Sequence, residues 1–127
     1  MVKVVLNNCY GGFSLSKDAI EFLERNHAFE DERQKLELSW YKNWASKNPE
    51  NEKYYVGDFC LRRDNPVLVE CVSVLKEKAN TRFSELVVEE VDDDFYIGEY
   101  DGLERVFYSQ QEAEDFSFEG FPELNLF

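Results

Sequence analysis

The dipeptide Asn65-Pro66 and the apolar residues after it restrict the fold of this chain more than any other feature. A residue before proline avoids the α region, and proline fits the first turn of a helix, so the pair predicts a helix start. Seven apolar residues from Val67 to Ala79 then recur at helical spacing, in a stripe wide enough for deep burial. Asn80 is predicted to end this helix in the left-handed conformation. The rest of the core must be built around one buried helix.

Shorter patterns predict the other elements. A helix is expected from about Asp18, after a serine-containing cap, and is expected to end near Asn26 and His27. In the polar insert from about 30 to 53, Leu36, Trp40 and Trp44 follow at i, i+4 and i+8 and therefore share one face of a peripheral helix. The predicted strands are residues 2–6, 54–61, 86–91, 95–100 and 103–108.

The last two strands are expected to form a hairpin around Asp101-Gly102. Asp-Gly is one of the strongest signals for a two-residue type I′ turn. In that register Glu99 lies opposite Glu104. Like charges across a ladder destabilise by up to about 1 kcal/mol, so the tip is expected to be an exposed, concentrated negative knob.

A chain of 127 residues fits one domain. The element order predicts an α+β fold in which a small mixed sheet of about five strands carries two or three helices. Residues 1–111 are assigned to this domain, and residues 112–127 to an acidic, aromatic tail. The tail is expected to dock on the body through Phe116, Phe118 and Phe121, and the alternative is a segment that stays mobile until a partner binds.

The net negative charge arises entirely from the carboxyl-terminal third. The formal net charge is −13, and residues 85–127 carry 14 acids against one base, Arg105, whereas residues 1–84 are balanced. This composition excludes a broad basic face for direct binding of nucleic acid. Acidic bias often serves solubility alone, and the alternative is recognition of a basic partner.

The loop at Gly11-Gly12 is the feature that most resembles a ligand site. A strand, a glycine loop and a helix can direct backbone N–H groups at an anion, with Gly11, Gly12, Ser14 and Ser16 as the candidate residues. Neither the G-x-x-x-x-G-K-[ST] nor the G-x-G-x-x-G pattern is present. The alternative is a loop that makes only a turn and close packing.

Catalytic and metal chemistry have little support in the sequence. Cys9 would need a base such as His27, which a predicted helix separates from it. The run 92–94 lacks the glycine and the final acid of a calcium-binding EF-hand loop. We therefore expect no enzyme activity, no cofactor and no metal.

The cysteines and the apolar runs bear on the compartment. Three widely spaced cysteines without a C-x-x-C pair argue against disulfides and zinc, and Cys71 is expected to be a core thiol. The first residues lack the apolar region of a signal peptide, and no run is long enough to span a membrane. The expected location is the cytoplasm, with no membrane partner.

Two blocks of sequence resemble a family of small uncharacterised proteins common in bacteriophage genomes. They are residues 4–16 (VVLNNCYGGFSLS), and residues 63–69 (RDNPVLV) through 78–80 (KAN) to 99–102 (EYDG). The resemblance implies a phage origin, with the cytoplasm of an infected bacterium as the compartment, and carries no catalytic residue. The insert at about 30–53 and the acidic tail depart from the family pattern.

These observations lead to two functional hypotheses. The first is a non-enzymatic phage protein that inhibits a host factor, for example a defence factor, by presenting an acidic surface to a basic, nucleic-acid-binding partner as a nucleic-acid mimic. The second is a binder that sequesters a nucleotide-type signal at the Gly11-Gly12 loop. The residues expected to form the acidic surface are Glu89, Glu90, Asp92, Asp93, Asp94, Glu99, Asp101 and Glu104.

Overall fold

A computed structural model describes residues 1–47 and 61–120 of the chain. The predicted strand at 54–61 lies almost entirely outside this part. The elements in chain order are β1 (Val2–Asn7), α1 (Lys17–Arg25), α2 (Glu32–Lys47), α3 (Pro66–Leu75), a short 3₁₀ helix (Lys76–Ala79), β2 (Leu86–Val91), β3 (Tyr96–Tyr100), β4 (Leu103–Phe107) and α4 (Gln110–Glu119). No helix in the described ranges is long and apolar enough to cross a membrane.

The described strands form two antiparallel sheets of two strands each, β1 with β2 and β3 with β4. The α+β class is confirmed, and the expectation of one mixed sheet of about five strands is wrong. The outer edge of β1 explains the difference. The Val5 N–H donates to the Arg63 carbonyl at 2.9 Å, and the Asn7 N–H donates to the Glu104 carboxylate at 2.8 Å. A loop carbonyl and a side chain therefore take the edge positions that a third strand would use.

The larger core lies where α1 and α3 pack on β1 and β2. Its fully buried side chains include Val5, Leu23, Leu68 and Cys71. The start of α3 is as predicted, because the Asn65 side chain accepts hydrogen bonds from the backbone N–H groups of the first helical turn. A second, smaller cluster connects the two sheets, and its members are Val4, Leu6 and Val91, with Ile97 and Val106 partly buried against them.

The end of α3 differs from the prediction. The helix stops at Leu75, and the 3₁₀ helix begins at Lys76, which has a positive φ of 54°. Asn80 is extended, and its side-chain oxygen accepts a hydrogen bond from the Leu86 N–H at 2.8 Å. Asn80 therefore positions the start of β2 and does not supply the left-handed stop.

The helices α1 and α2 form as predicted. Ser16 caps α1 through the Ala19 N–H, and His27 follows the helix end with φ 58°. On α2, however, the residue that faces the body is Leu38, whereas Leu36 and Trp40 are 71% and 65% exposed. The predicted apolar stripe therefore points toward solvent as far as the structure describes it, and the Trp44 side chain lies outside the described part.

The register of the β3–β4 hairpin is as predicted, and each strand is one residue shorter than expected. Tyr100 pairs with Leu103 and Glu99 with Glu104, and both turn residues have positive φ, as a type I′ turn requires. The Cβ of any residue in place of Gly102 would lie 2.4 Å from the Gly11 carbonyl carbon. Glycine is therefore needed here both for the turn and for the close approach of the two loops.

The expected tail begins as a helix. Helix α4 crosses the expected boundary at 111/112 and packs on β3, with Phe116 buried against Tyr100 and Phe107. Docking is thereby confirmed for Phe116, whereas Phe118 is 86% exposed and Phe121 lies outside the described residues. This gives four α-helices in the described ranges, against the two or three expected.

Candidate functional site

The candidate site is the acidic surface formed by the end of β2, the turn after it, the β3–β4 hairpin and α4. Seven of the eight acidic residues singled out from the sequence are exposed there: Glu89, Glu90, Asp92, Asp93, Asp94, Glu99 and Asp101. The structure adds exposed acidic residues on α4, which are Glu112, Glu114, Asp115 and Glu119. These four fell within the acidic third but were not picked out, because the helix itself was not predicted.

A local signal for α4 is present in the sequence. Ser109-Gln110-Gln111-Glu112 fits the S-x-x-E capping box that commonly opens a helix. In the structure the Ser109 hydroxyl accepts a hydrogen bond from the Glu112 N–H. The apolar residues that follow are few and are mixed with acids, so they do not form a clear helical pattern.

Contacts along α4 show how these acids form one surface. The start of α4 lies beside the start of β3, since Gln110 and Tyr96 line the same groove. Midway, the Ser117 hydroxyl accepts a hydrogen bond from the Glu99 N–H at 3.0 Å. At the far end Gly120 lies against the Tyr100 ring. The helix therefore follows β3 from the acidic turn to the hairpin tip, and acids lie along the whole length.

Positive charge beside this surface comes from the amino-terminal residues and from Arg105. The Met1 amino group lies 3.6 Å from the Asp93 carboxylate, and Lys3 on β1 pairs with Glu90 on β2. Among residues 85–120, Arg105 is the single base. Its guanidinium donates to the Asn8 side chain at 2.8 Å and to the Glu104 carbonyl at 3.0 Å. The Asp92 N–H donates to the Tyr108 hydroxyl, which ties the acidic turn to the end of β4.

Glu104 is not part of this surface, which corrects the prediction of an exposed knob. Its side chain is 5% exposed and accepts two hydrogen bonds from Arg63, at 2.6 and 2.9 Å, and one from the Asn7 N–H. The Arg63 guanidinium also lies over the Phe13 ring, 3.6 Å from its centroid. A carboxylate with a bidentate partner and a third donor can be buried at acceptable cost.

The same contacts remove the expected repulsion at the hairpin tip. Arg63 neutralises Glu104, so Glu99 faces a paired carboxylate across the ladder. Glu99 itself accepts a hydrogen bond from the Gly102 N–H at 3.0 Å and supports the turn. At the tip, Glu99 and Asp101 remain as exposed acids.

Asn7 organises the polar contacts beneath the tip, and sequence reasoning missed it. The residue is fully buried, its amide donates to the Gly102 carbonyl at 2.7 Å, and its oxygen accepts from the Glu85 N–H at 2.8 Å. We call Asn7, Arg63 and Glu104 the polar centre. No local pattern identifies it, because its members come from β1, β4 and the loop before α3.

The Gly11-Gly12 loop does not present the donors that an anion site needs. The Gly11 N–H donates to the Asp101 carbonyl at 3.0 Å, and the Gly12 N–H donates to the Phe83 carbonyl at 3.1 Å. A Cβ at Gly11 would lie 2.1 Å from that Phe83 oxygen. The loop is a packing junction between the hairpin tip and the segment before β2.

The two serines of the predicted anion site are also engaged inside the protein. The buried Ser14 hydroxyl shares a hydrogen bond of 2.7 Å with Thr81. Ser16 caps α1 and donates to the Lys78 carbonyl. The two glycine N–H groups and the two serine hydroxyls therefore all form hydrogen bonds within the protein. Nothing in the geometry of this loop favours a nucleotide-binding site.

The described cysteines are free thiols in unreactive surroundings. Burial and the neighbouring Glu85 charge raise the pKa of the Cys9 thiol, which favours the protonated, less nucleophilic form. Burial raises the pKa of Cys71 to about 12, and its placement in the core is as predicted. Within residues 1–47 and 61–120, no three metal-ligating side chains cluster.

Comparisons of the chain with known protein families, with curated proteins and with solved structures find no match.

Proposed function

We propose that the protein is a non-enzymatic interaction protein whose acidic carboxyl-terminal surface binds a basic protein partner. The observation that carries the proposal is the exposure of eleven acidic side chains along the end of β2, the turn after it, the hairpin and α4, with Arg105 as the only base in the sequence from 85 to 120. Solubility alone needs no such separation of charge along the chain. A surface of one sign steers an oppositely charged partner toward it and raises the association rate.

The partner class follows from the same charge. Nucleic acid is repelled by this surface, whereas the basic face of a nucleic-acid-binding protein is attracted to it. Together with the resemblance to phage-associated proteins, this supports a phage-encoded inhibitor that occupies such a site on a host factor, including one used in defence. The cytoplasm of the infected bacterium is the compartment in which such an inhibitor would act.

The test uses a defined basic probe, a fluorescein-labelled oligolysine peptide, and measures anisotropy at about 50 and 200 mM salt. We expect binding that weakens steeply with salt, because exposed charge pairs are screened over about 10 Å. The triple variant Asp92→Asn, Asp93→Asn, Asp94→Asn should bind about tenfold more weakly, since each exposed pair contributes up to about 1 kcal/mol.

A matched control removes the same number of charges elsewhere. Glu21→Gln, Glu70→Gln and Glu77→Gln together neutralise three exposed acids outside the candidate site. This variant should bind the peptide nearly as well as the original chain. Equal losses in the two variants, or binding insensitive to salt, would show that the carboxyl-terminal surface has no special role.

A further inference from the structure

An open groove lies between α4 and the outer edge of β3. Its volume is about 390 Å³, and its lining includes Tyr96, Ile97, Glu114, Ser117 and Phe118. Both aromatic side chains of this lining are unusually exposed, Phe118 at 86% and Tyr96 at 43%. An exposed Phe and an exposed Tyr that line one groove in an otherwise charged region are typical of a contact surface.

The backbone of β3 contributes directional groups to this groove. In a hairpin closed by a two-residue turn, the pair next to the turn is hydrogen-bonded, so alternate residues of β3 point their N–H and C=O groups outward. Glu99 is one of them, and its outward N–H donates to Ser117. Ile97, two residues earlier, has the same orientation and lines the groove. The edge at Ile97 is therefore placed to pair with an extended segment.

Charge decides what such a segment must be. Glu114 lines the groove, the exposed Glu99 and Asp115 lie on β3 and α4, and the exposed Asp94 lies in the turn before β3. A base in an incoming segment would find acids around it, whereas an acidic segment would be repelled. The exposed rings of Tyr96 and Phe118 favour an apolar side chain in the incoming segment, placed between its basic residues.

We propose that this groove binds an extended, lysine- or arginine-rich segment of the partner, with one apolar side chain seated between Tyr96 and Phe118 and main-chain pairing at Ile97. This rests on the proposed function and names the part of the acidic surface that gives it specificity. Charge sets the approach of the partner, and the apolar anchor and strand pairing set its register.

The test compares two labelled nonapeptides of equal charge: three lysines, Gly-Leu-Gly and three lysines, and the same peptide with Ser in place of Leu. We expect the Leu peptide to bind at least about tenfold more tightly, as burial of one leucine side chain allows. Phe118→Ala should remove this advantage. Phe83→Ala, at an exposed Phe of the loop before β2, should preserve it.

Amide NMR spectra locate the binding. The Leu peptide should shift the Ile97 and Ser117 N–H signals, and N-methylation of its central residue should weaken binding. Equal affinity for both peptides, with the salt dependence retained, would refute the proposal that the groove binds the partner. The proposed function of the acidic surface would still hold. Loss of all peptide binding would overturn both proposals. If a second copy of the chain or residues 121–127 fill the groove instead, the Ile97 and Ser117 signals will not move, which also overturns the assignment.

Discussion

Glu104→Gln tests the polar centre with the smallest change of shape. The carboxamide fills the same volume and can still accept from the Asn7 N–H, but it has no charge to balance Arg63. The Arg63 side chain is 13% exposed and the Glu104 side chain 5%, so solvent cannot replace the lost partner. The variant therefore leaves a largely buried guanidinium without its counter-ion.

The expected cost can be placed within a known range. Breaking a buried ion pair by removing one partner destabilises by about 3–5 kcal/mol. Arg63 retains its contact with the Phe13 ring and a hydrogen bond to the Val5 carbonyl, which favours the lower end, about 3 kcal/mol. That is a large part of the roughly 5–15 kcal/mol that holds a domain folded, and Tm should fall by about 10 °C.

Urea denaturation followed by far-UV circular dichroism measures this difference. Glu99→Gln is the matched control, since Glu99 lies directly across the ladder, is exposed, and its amide can still accept from Gly102. We expect it to change the free energy of unfolding by less than about 0.5 kcal/mol. A Glu104→Gln cost below about 1 kcal/mol, or equal to that of the control, would refute the assignment of Glu104 to a buried ion pair.

The glycine loop, the residue after α3 and the buried thiol each give a further prediction. Gly11→Ala should lower the free energy of unfolding by about 2 kcal/mol or more, because its Cβ would lie 2.1 Å from the Phe83 oxygen. Gly12→Ala has nearly the same φ and open space, so equal costs in urea denaturation would contradict this view of the loop. Lys76→Gly should raise the free energy of unfolding by about 1 kcal/mol, because φ 54° and ψ −129° favour glycine; a loss in the same assay would count against strain there. Burial raises the pKa of the Cys71 thiol from an ordinary 9.0 to about 12 in the folded protein. Its contribution to the free energy of unfolding is therefore present in full below pH 9 and is lost as pH rises from 9 toward 12. Between pH 8 and 10 the original chain should lose about 1 kcal/mol more than Cys71→Ala, and identical pH slopes would show that burial of this thiol is not linked to folding.

Local chemistry in the sequence was sufficient for much of the fold. Asn65-Pro66 fixed the start of α3, and Asp101-Gly102 fixed the hairpin and its register, because each depends on backbone preferences within a few residues. The acids from Glu89 to Asp94 could be assigned to the surface for a similar reason, since aspartate and glutamate side chains are rarely buried.

Local sequence patterns did not predict the contacts between segments that are distant in the chain. The helical stripe at Leu36 and Trp40 was identified, but which face packs on the body was decided by Leu38. Helix α4 packs on β3 around Gly98, where the missing side chain lets the two elements approach closely. The weak apolar period of α4 gives no indication of this packing.

Glu99 and Glu104 show where the division lies. The sequence alone determined that the two carboxylates face each other across a type I′ hairpin, because register follows from turn geometry. Only the tertiary structure decided that one is solvated and the other buried, because Arg63 comes from a loop 41 residues away and meets Glu104 only when β1, the hairpin and that loop pack together. The free energy of a charge depends on what surrounds it, and those surroundings are assembled by the fold.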